Sequence, residues 1–202
     1  MKKIVYQLSL ILMVSLLAAC IPLTPQGPLG KAEPIQAAKL PVRIWVKDLS
    51  IADPIYSNAD SLFIGRTLSQ NLQEYLNRCG YFQEAKLAPG QYAKDDLFLK
   101  FRFTQLNGRQ SSLLPITIPL TFLSFGLYPL SNAPLSYDSI VVAGELRITN
   151  SQNIVLSTSQ AAKRTSAFIG LYDESDTRTI LTEVVGELLA KAVPEAQKKL
   201  AK

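Results

Sequence analysis

Histidine is absent from this chain of 202 residues. The side chain that most often moves protons near neutral pH, and the commonest zinc ligand, are therefore excluded. Cysteine is limited to Cys20 and Cys79, too few for a thiolate metal site or for the disulfide framework of a small secreted domain. The nucleophile elbow, the P-loop and the dinucleotide fingerprint are all missing. Acidic groupings are confined to Asp95-Asp96 and to Asp173-Glu174-Ser175-Asp176. The second lacks the glycine and the distant glutamate of a calcium loop and reads as the negative start of a helix. With no nucleophile and base to pair, the residues point away from an enzyme, and no metal or cofactor is expected. Strong charge is lacking too. The formal charge is +5, of which Lys2 and Lys3 supply two, so the chain from Cys20 onward carries +3. That charge is dispersed, and no nucleic-acid partner is expected.

What is present begins at the N-terminus. Lys2 and Lys3 precede an apolar run over Ile4 to Leu17, which ends in Leu17-Ala18-Ala19-Cys20. A charged start, a short apolar middle and small residues before a cut form a secretory signal, here residues 1–19. The run is shorter than the ~20 residues a membrane-spanning helix needs. Leu17-Ala18-Ala19-Cys20 resembles the lipobox of bacterial lipoproteins. The resemblance implies cleavage between Ala19 and Cys20 and acylation of Cys20, which makes membrane lipid a partner. In that family an aspartate after the cysteine retains the protein at the inner membrane. Ile21 stands there instead, which implies the periplasmic face of the outer membrane.

Residues 20–40 are rich in proline, glycine and alanine, without an apolar period, and are expected to form a flexible tether. Fully extended it reaches at most ~65 Å, and as a coil ~25 Å. A single domain is expected over residues 41–193. Val42, Ile44 and Val46, with Trp45 offset, alternate with Arg43 and Lys47 as in a strand. Leu68, Leu72, Tyr75, Leu76 and Cys79 recur at helical spacing, with Asn58 or Asp60 as cap and Gly80 as stop. Cys79 reads either as a small buried apolar residue or as a reactive or pairing thiol. Tyr81 to Leu87 is a short strand. Leu97, Leu99, Phe101 and Phe103 share one face of the next, which Asn107-Gly108 is expected to end in a turn. Asp138 to Thr149 and Ile154 to Ser166 form a hairpin around Asn150 to Asn153. Gly144 is a candidate bulge. Ile180, Leu181, Val184, Leu188, Leu189 and Ala192 line a closing helix that Pro194 is expected to kink or end, leaving a basic tail over 194–202. The predicted fold is α+β, a small mostly antiparallel sheet with two helices on one face, in the order β-α-β-β-insertion-β-β-α.

The insertion, residues 110–137, carries no charge. Pro115 and Pro129 bracket its centre, and Pro119 and Gly126 oppose an undisturbed helix. Three readings stand: a membrane span, a core or sheet-covering segment, or an apolar surface that meets lipid or a partner. On the last, Leu113, Leu114, Ile116, Ile118, Leu120, Phe122, Leu123, Phe125, Leu127 and Tyr128 are the contact residues. Lys163-Arg164 is either a pair for phosphate headgroups or a solvated strand edge.

A lipobox, a proline-rich tether and this element order, over residues 41 to 193, resemble envelope lipoproteins of secretion and polysaccharide export. Their domain is similar to the N-terminal domain of the TolB protein and to curli-secretion and Pel-export lipoproteins. The resemblance implies a non-enzymatic structural or accessory subunit of an envelope assembly, acting as a homo-oligomer or with an envelope protein partner. The alternative expectation is a lipoprotein that binds a lipid or other amphiphile along residues 113–130.

Overall fold

The computed structural model describes residues 20–24, 28–30, 39–170 and 177–201. The expected signal peptide with Ala19, and the Asp173, Glu174 and Asp176 cluster, lie outside them. The described elements are β1 (Cys20–Leu23), β2 (Leu40–Ile51), α1 (Asn58–Cys79), β3 (Phe82–Leu87), β4 (Leu97–Ser112), α2 (Leu114–Leu123), α3 (Leu127–Leu130), β5 (Ser136–Thr149), β6 (Val155–Ile169) and α4 (Thr177–Leu200). The fold is α+β, and from β2 onward the order is the predicted one. The chain forms two compact units where the sequence predicts one domain. The larger comprises residues 25–106, 141–163 and 177–202, the smaller 1–24, 107–140 and 164–176.

In the larger unit the strands lie in the order β3-β2-β4-β5-β6. The sheet is mixed, not simply antiparallel, because β2 pairs parallel with both β3 and β4. A helix connects β2 to β3, as a parallel pair requires. The second parallel pairing arises from stagger. Leu87 ends β3 level with Val46, and Leu97 opens β4 level with Ile44. The nine residues between therefore need only cross the face of β2, without retracing its length. They cross at Trp45, where Gly90 leaves room for the indole ring and Tyr92 packs edge-on, 4.9 Å between ring centres. The Trp45 indole donates to the buried Asp96 carboxylate at 2.7 Å, which also accepts from the Ala93 N–H at 2.8 Å.

Both long helices cover the face that carries Phe103. Leu68 and Leu72 of α1, Leu181 and Val185 of α4, and Leu49 and Phe103 of the sheet enclose one small apolar gap. The predicted apolar faces of α1 and α4 are buried in full. Gly65 brings α1 close to the sheet, since a Cβ there would sit 3.4 Å from the Leu49 carbonyl oxygen. Ser57, not Asn58 or Asp60, caps α1: its hydroxyl accepts from the Asp60 N–H, and the Asp60 carboxylate accepts from that hydroxyl at 2.6 Å. Gly80 ends the helix at φ 71°, a conformation glycine adopts without a Cβ penalty.

Gly144 is a close-contact position, where a Cβ would meet the Phe103 ring at 3.1 Å. Three local expectations are corrected. Asn107-Gly108 is no turn, because β4 continues to Ser112 and Gly108 pairs with Leu23 of β1. Pro194 does not end α4, because Val193 and Ala196 are buried on the same face as Ala192 and carry the helix on to Leu200. The expected basic tail is thus helical over most of its length. Residues 20–40 are not free throughout: β1 pairs with β4, Leu29 is buried, and the Gly30 N–H donates to Thr182 Oγ1 at 2.7 Å.

Candidate functional site

The smaller unit holds the charge-free insertion. β1 runs antiparallel to β4 with Cys20 opposite Ser111 and Leu23 opposite Gly108. The ends of the insertion meet, since the Leu113 N–H donates to the Leu135 carbonyl at 2.8 Å. The Leu135 N–H in turn donates to the Ile169 carbonyl at 2.8 Å. Gly170 lies against Asn132 so tightly that a Cβ would come within 2.7 Å of the Asn132 carbonyl oxygen. Tyr137 and Phe168 pack with ring centres 5.1 Å apart.

Between these ends the chain folds into α2 and α3. Pro115 sits in the first turn of α2, where a missing N–H costs nothing, and Pro119 sits inside it. Phe125 and Gly126, both at positive φ (53° and 86°), close the helix. Its polarity is inverted. Thr117 is 2% exposed, and Thr121, Ser124 and Tyr128 are half-buried. Phe122 is 79% exposed and Phe125 96%, and Ile118, Leu120, Leu123, Leu127 and Leu130 are exposed as well. The inward hydroxyls serve the segment's own backbone. Thr121 Oγ1 donates to the Thr117 carbonyl at 2.7 Å and Ser124 Oγ to the Thr121 carbonyl at 3.2 Å. Ser124 Oγ also accepts from the Tyr128 N–H at 2.9 Å, joining α2 to α3.

Of the predicted contact residues, Ile118, Leu120, Phe122, Leu123, Phe125 and Leu127 are therefore brought to one exposed apolar surface. Leu113 and Tyr128 are half-buried. Leu114 and Ile116 belong to α2 by backbone, and their side chains lie outside what is described. Sequence reasoning missed the inward row of Thr117, Thr121, Ser124 and Tyr128. Its spacing of four, three and four residues was the available signal. The span reading finds no support in α2. Ten residues extend ~15 Å against a hydrocarbon core of ~30 Å, and among the described residues no helix is long and apolar enough to cross a membrane.

The larger unit contains a cavity of about 550 Å³ lined by Tyr75, Tyr81, Lys163, Thr182, Glu183 and Glu187, among others. Lys163 is ion-paired with Glu183, which makes it a paired edge residue of the larger unit. Tyr81 is buried, and its hydroxyl finds no hydrogen-bond partner among the described residues. Burial, with Cys79 and Tyr75 nearby, pushes its pKa up to about 12. It is thus a neutral donor throughout the physiological range. Burial also raises the Cys79 thiol, which packs as a small apolar side chain and donates to the Leu76 carbonyl at 3.1 Å. The buried carboxylates Asp53 and Asp96 hold structural donors: Asp53 accepts from the Ile55 N–H at 3.1 Å and the Leu106 N–H at 2.8 Å.

The sequence matches no family model and no curated protein. The fold is similar to that of protein XCC0632 from Xanthomonas campestris, of the family DUF330. The TM-score is 0.53 at 11% identity, over 87% of this chain and 97% of that one. A neuraminyllactose-binding hemagglutinin homolog from Helicobacter pylori aligns at a TM-score of 0.38 and 14% identity, over 86% of this chain and 94% of that one. The first likeness concerns the fold alone, and the second is too slight to carry an argument.

Proposed function

We propose that this chain is a lipoprotein anchored by Cys20 to the periplasmic face of the outer membrane, acting there as a non-enzymatic structural or accessory subunit of an envelope assembly, secretion or export complex. The inverted helix is the observation that carries the reading. An exposed apolar surface whose inward Thr121 and Ser124 hydroxyls bond to the segment's own backbone is built for contact, because its exposure to water has no folding rationale. The Leu17-Ala18-Ala19-Cys20 motif supplies the address, and the structural employment of Asp53 and Asp96 supports a role without catalysis. The amphiphile-binding alternative needs residues 113–130 to line a groove. The exposure of Phe122 and Phe125 favours an outer surface over a groove.

The test is in two parts. The full chain expressed in a bacterial envelope should incorporate labelled palmitate and fractionate with the outer membrane, and Cys20→Ala should abolish both. A variant processed and fractionated unchanged would refute the lipoprotein reading. Native mass spectrometry of the lipidated protein from detergent should show a defined oligomer or a mixed complex. A bare monomer that also recovers no partner on crosslinking would refute the assembly reading.

A further inference from the structure

We infer that α2 and α3 insert into the same lipid leaflet that holds the acyl chains of Cys20, so that the smaller unit grips the membrane at two adjoining points. The inference rests on the lipoprotein reading for Cys20.

The pairing of β1 makes the argument. A cysteine at the free end of a tether would say nothing about which face of the protein meets the bilayer. Cys20 instead has its backbone opposite Ser111, three residues before α2 begins. Neighbouring strands are ~4.7–4.9 Å apart, and three residues of chain reach at most ~11 Å. The start of α2 therefore lies within about 15 Å of the acylated residue, and the acyl chains hold that residue at headgroup level. The segment that begins there carries the exposed apolar side chains of Phe122, Leu123, Phe125, Leu127 and Leu130.

The chemistry suits lipid. No charge between Gln110 and Tyr137 has to be desolvated. The Thr121 and Ser124 hydroxyls are bonded within the segment, so little polar surface is left to lose water. A ten-residue helix with bulky apolar side chains lies along an interface and does not traverse it.

The experiment uses Phe125→Trp in the lipidated chain, reconstituted into phosphatidylethanolamine/phosphatidylglycerol vesicles that contain brominated acyl chains. Trp45 is buried and supplies a constant background, measured on the unsubstituted chain. The indole introduced by Phe125→Trp should shift to the blue and be quenched by bromine. The unacylated Cys20→Ser chain should show the same quenching at high vesicle concentration. Phe122→Ser with Phe125→Ser should weaken the vesicle binding of that unacylated chain at least about tenfold. A lipidated chain that floats with the vesicles while its indole stays unquenched would overturn the docking and leave the anchor standing. A chain whose mass shows no acyl groups would overturn the lipoprotein reading. Quenching in the unacylated chain would then still decide the docking, and its absence would sink it. Quenching lost on addition of an envelope protein fraction, with that protein recovered on the apolar surface, would assign the surface to a subunit and overturn the inference.

Discussion

Gly90→Ala tests the crossing loop, and with it the stagger that lets β4 pair parallel to β2. A Cβ at this position would overlap the six-membered ring of Trp45, well inside the ~3.5–4.0 Å at which carbon atoms attract. Either the ring or the loop must give way. Turning the ring would take the indole N–H from Asp96, a carboxylate only 3% exposed, and hydrogen bonds to charged groups are worth ~1.5–3 kcal/mol before the cost of the orphaned acceptor. Lifting the loop forfeits the edge-on contact of Trp45 with Tyr92, worth ~0.5–1.5 kcal/mol, plus some apolar burial. Gly90 is exposed on its outer side, so nothing outside resists the lift. The loop is the cheaper route, and the expected loss is about 1–2 kcal/mol. For a chain of this size that lowers the melting temperature by ~2–8 °C. Trp45 is the only tryptophan, so intrinsic fluorescence reads both quantities: the thermal midpoint should fall while native emission keeps its wavelength. An unchanged midpoint would mean that the loop does not lie on the ring. A red-shifted native emission with a loss well beyond 2 kcal/mol would mean that the ring moved, and the weighing of the two routes would be wrong.

Tyr81 should impose a pH dependence of its own. Its phenol holds the proton more tightly in the folded state, so its contribution is full below pH 10, its ordinary pKa, and is lost as pH rises through about 12. Denaturant midpoints should decline more steeply above pH 10 in the parent than in Tyr81→Phe, and parallel slopes would refute the assignment. Cys79 should resist thiol reagents while the protein is folded. In a Cys20→Ser background its labelling should be at least about tenfold slower than in denaturant, because burial both shields the sulfur and raises its pKa. Rapid labelling of the folded chain would argue for the reactive-thiol reading.

The parts of the fold that announce themselves are those where one local pattern meets one burial demand. The apolar spacing of α1 and α4 and the alternation of Leu97, Leu99, Phe101 and Phe103 all translate directly into buried faces. What stayed hidden depends on partners distant in the chain. Asn107-Gly108 has the composition of a turn, but pairing with Leu23 keeps it extended. Pro194 has the composition of a helix end, but burial of Val193 and Ala196 outweighs its missing N–H. The parallel neighbours of β2 follow from the level at which β3 stops and β4 starts, and composition does not state levels. At the candidate site the apolar residues were visible as a charge-free run. Their direction was not, because a run of this kind fits a core as well as a surface, and only the inward row of hydroxyls decides between them.

The meeting of Leu113 with Leu135 has an architectural consequence. A segment whose two ends touch is a cassette: it can be excised and the flanking strands closed by a short turn, because the frame does not need its length to connect β4 to β5. The apolar surface can then change in sequence, size or target while the remaining sheet and its helices stay as they are. Evolution and protein engineering alike are free to exchange the gripping part of this molecule without redesigning the part that folds.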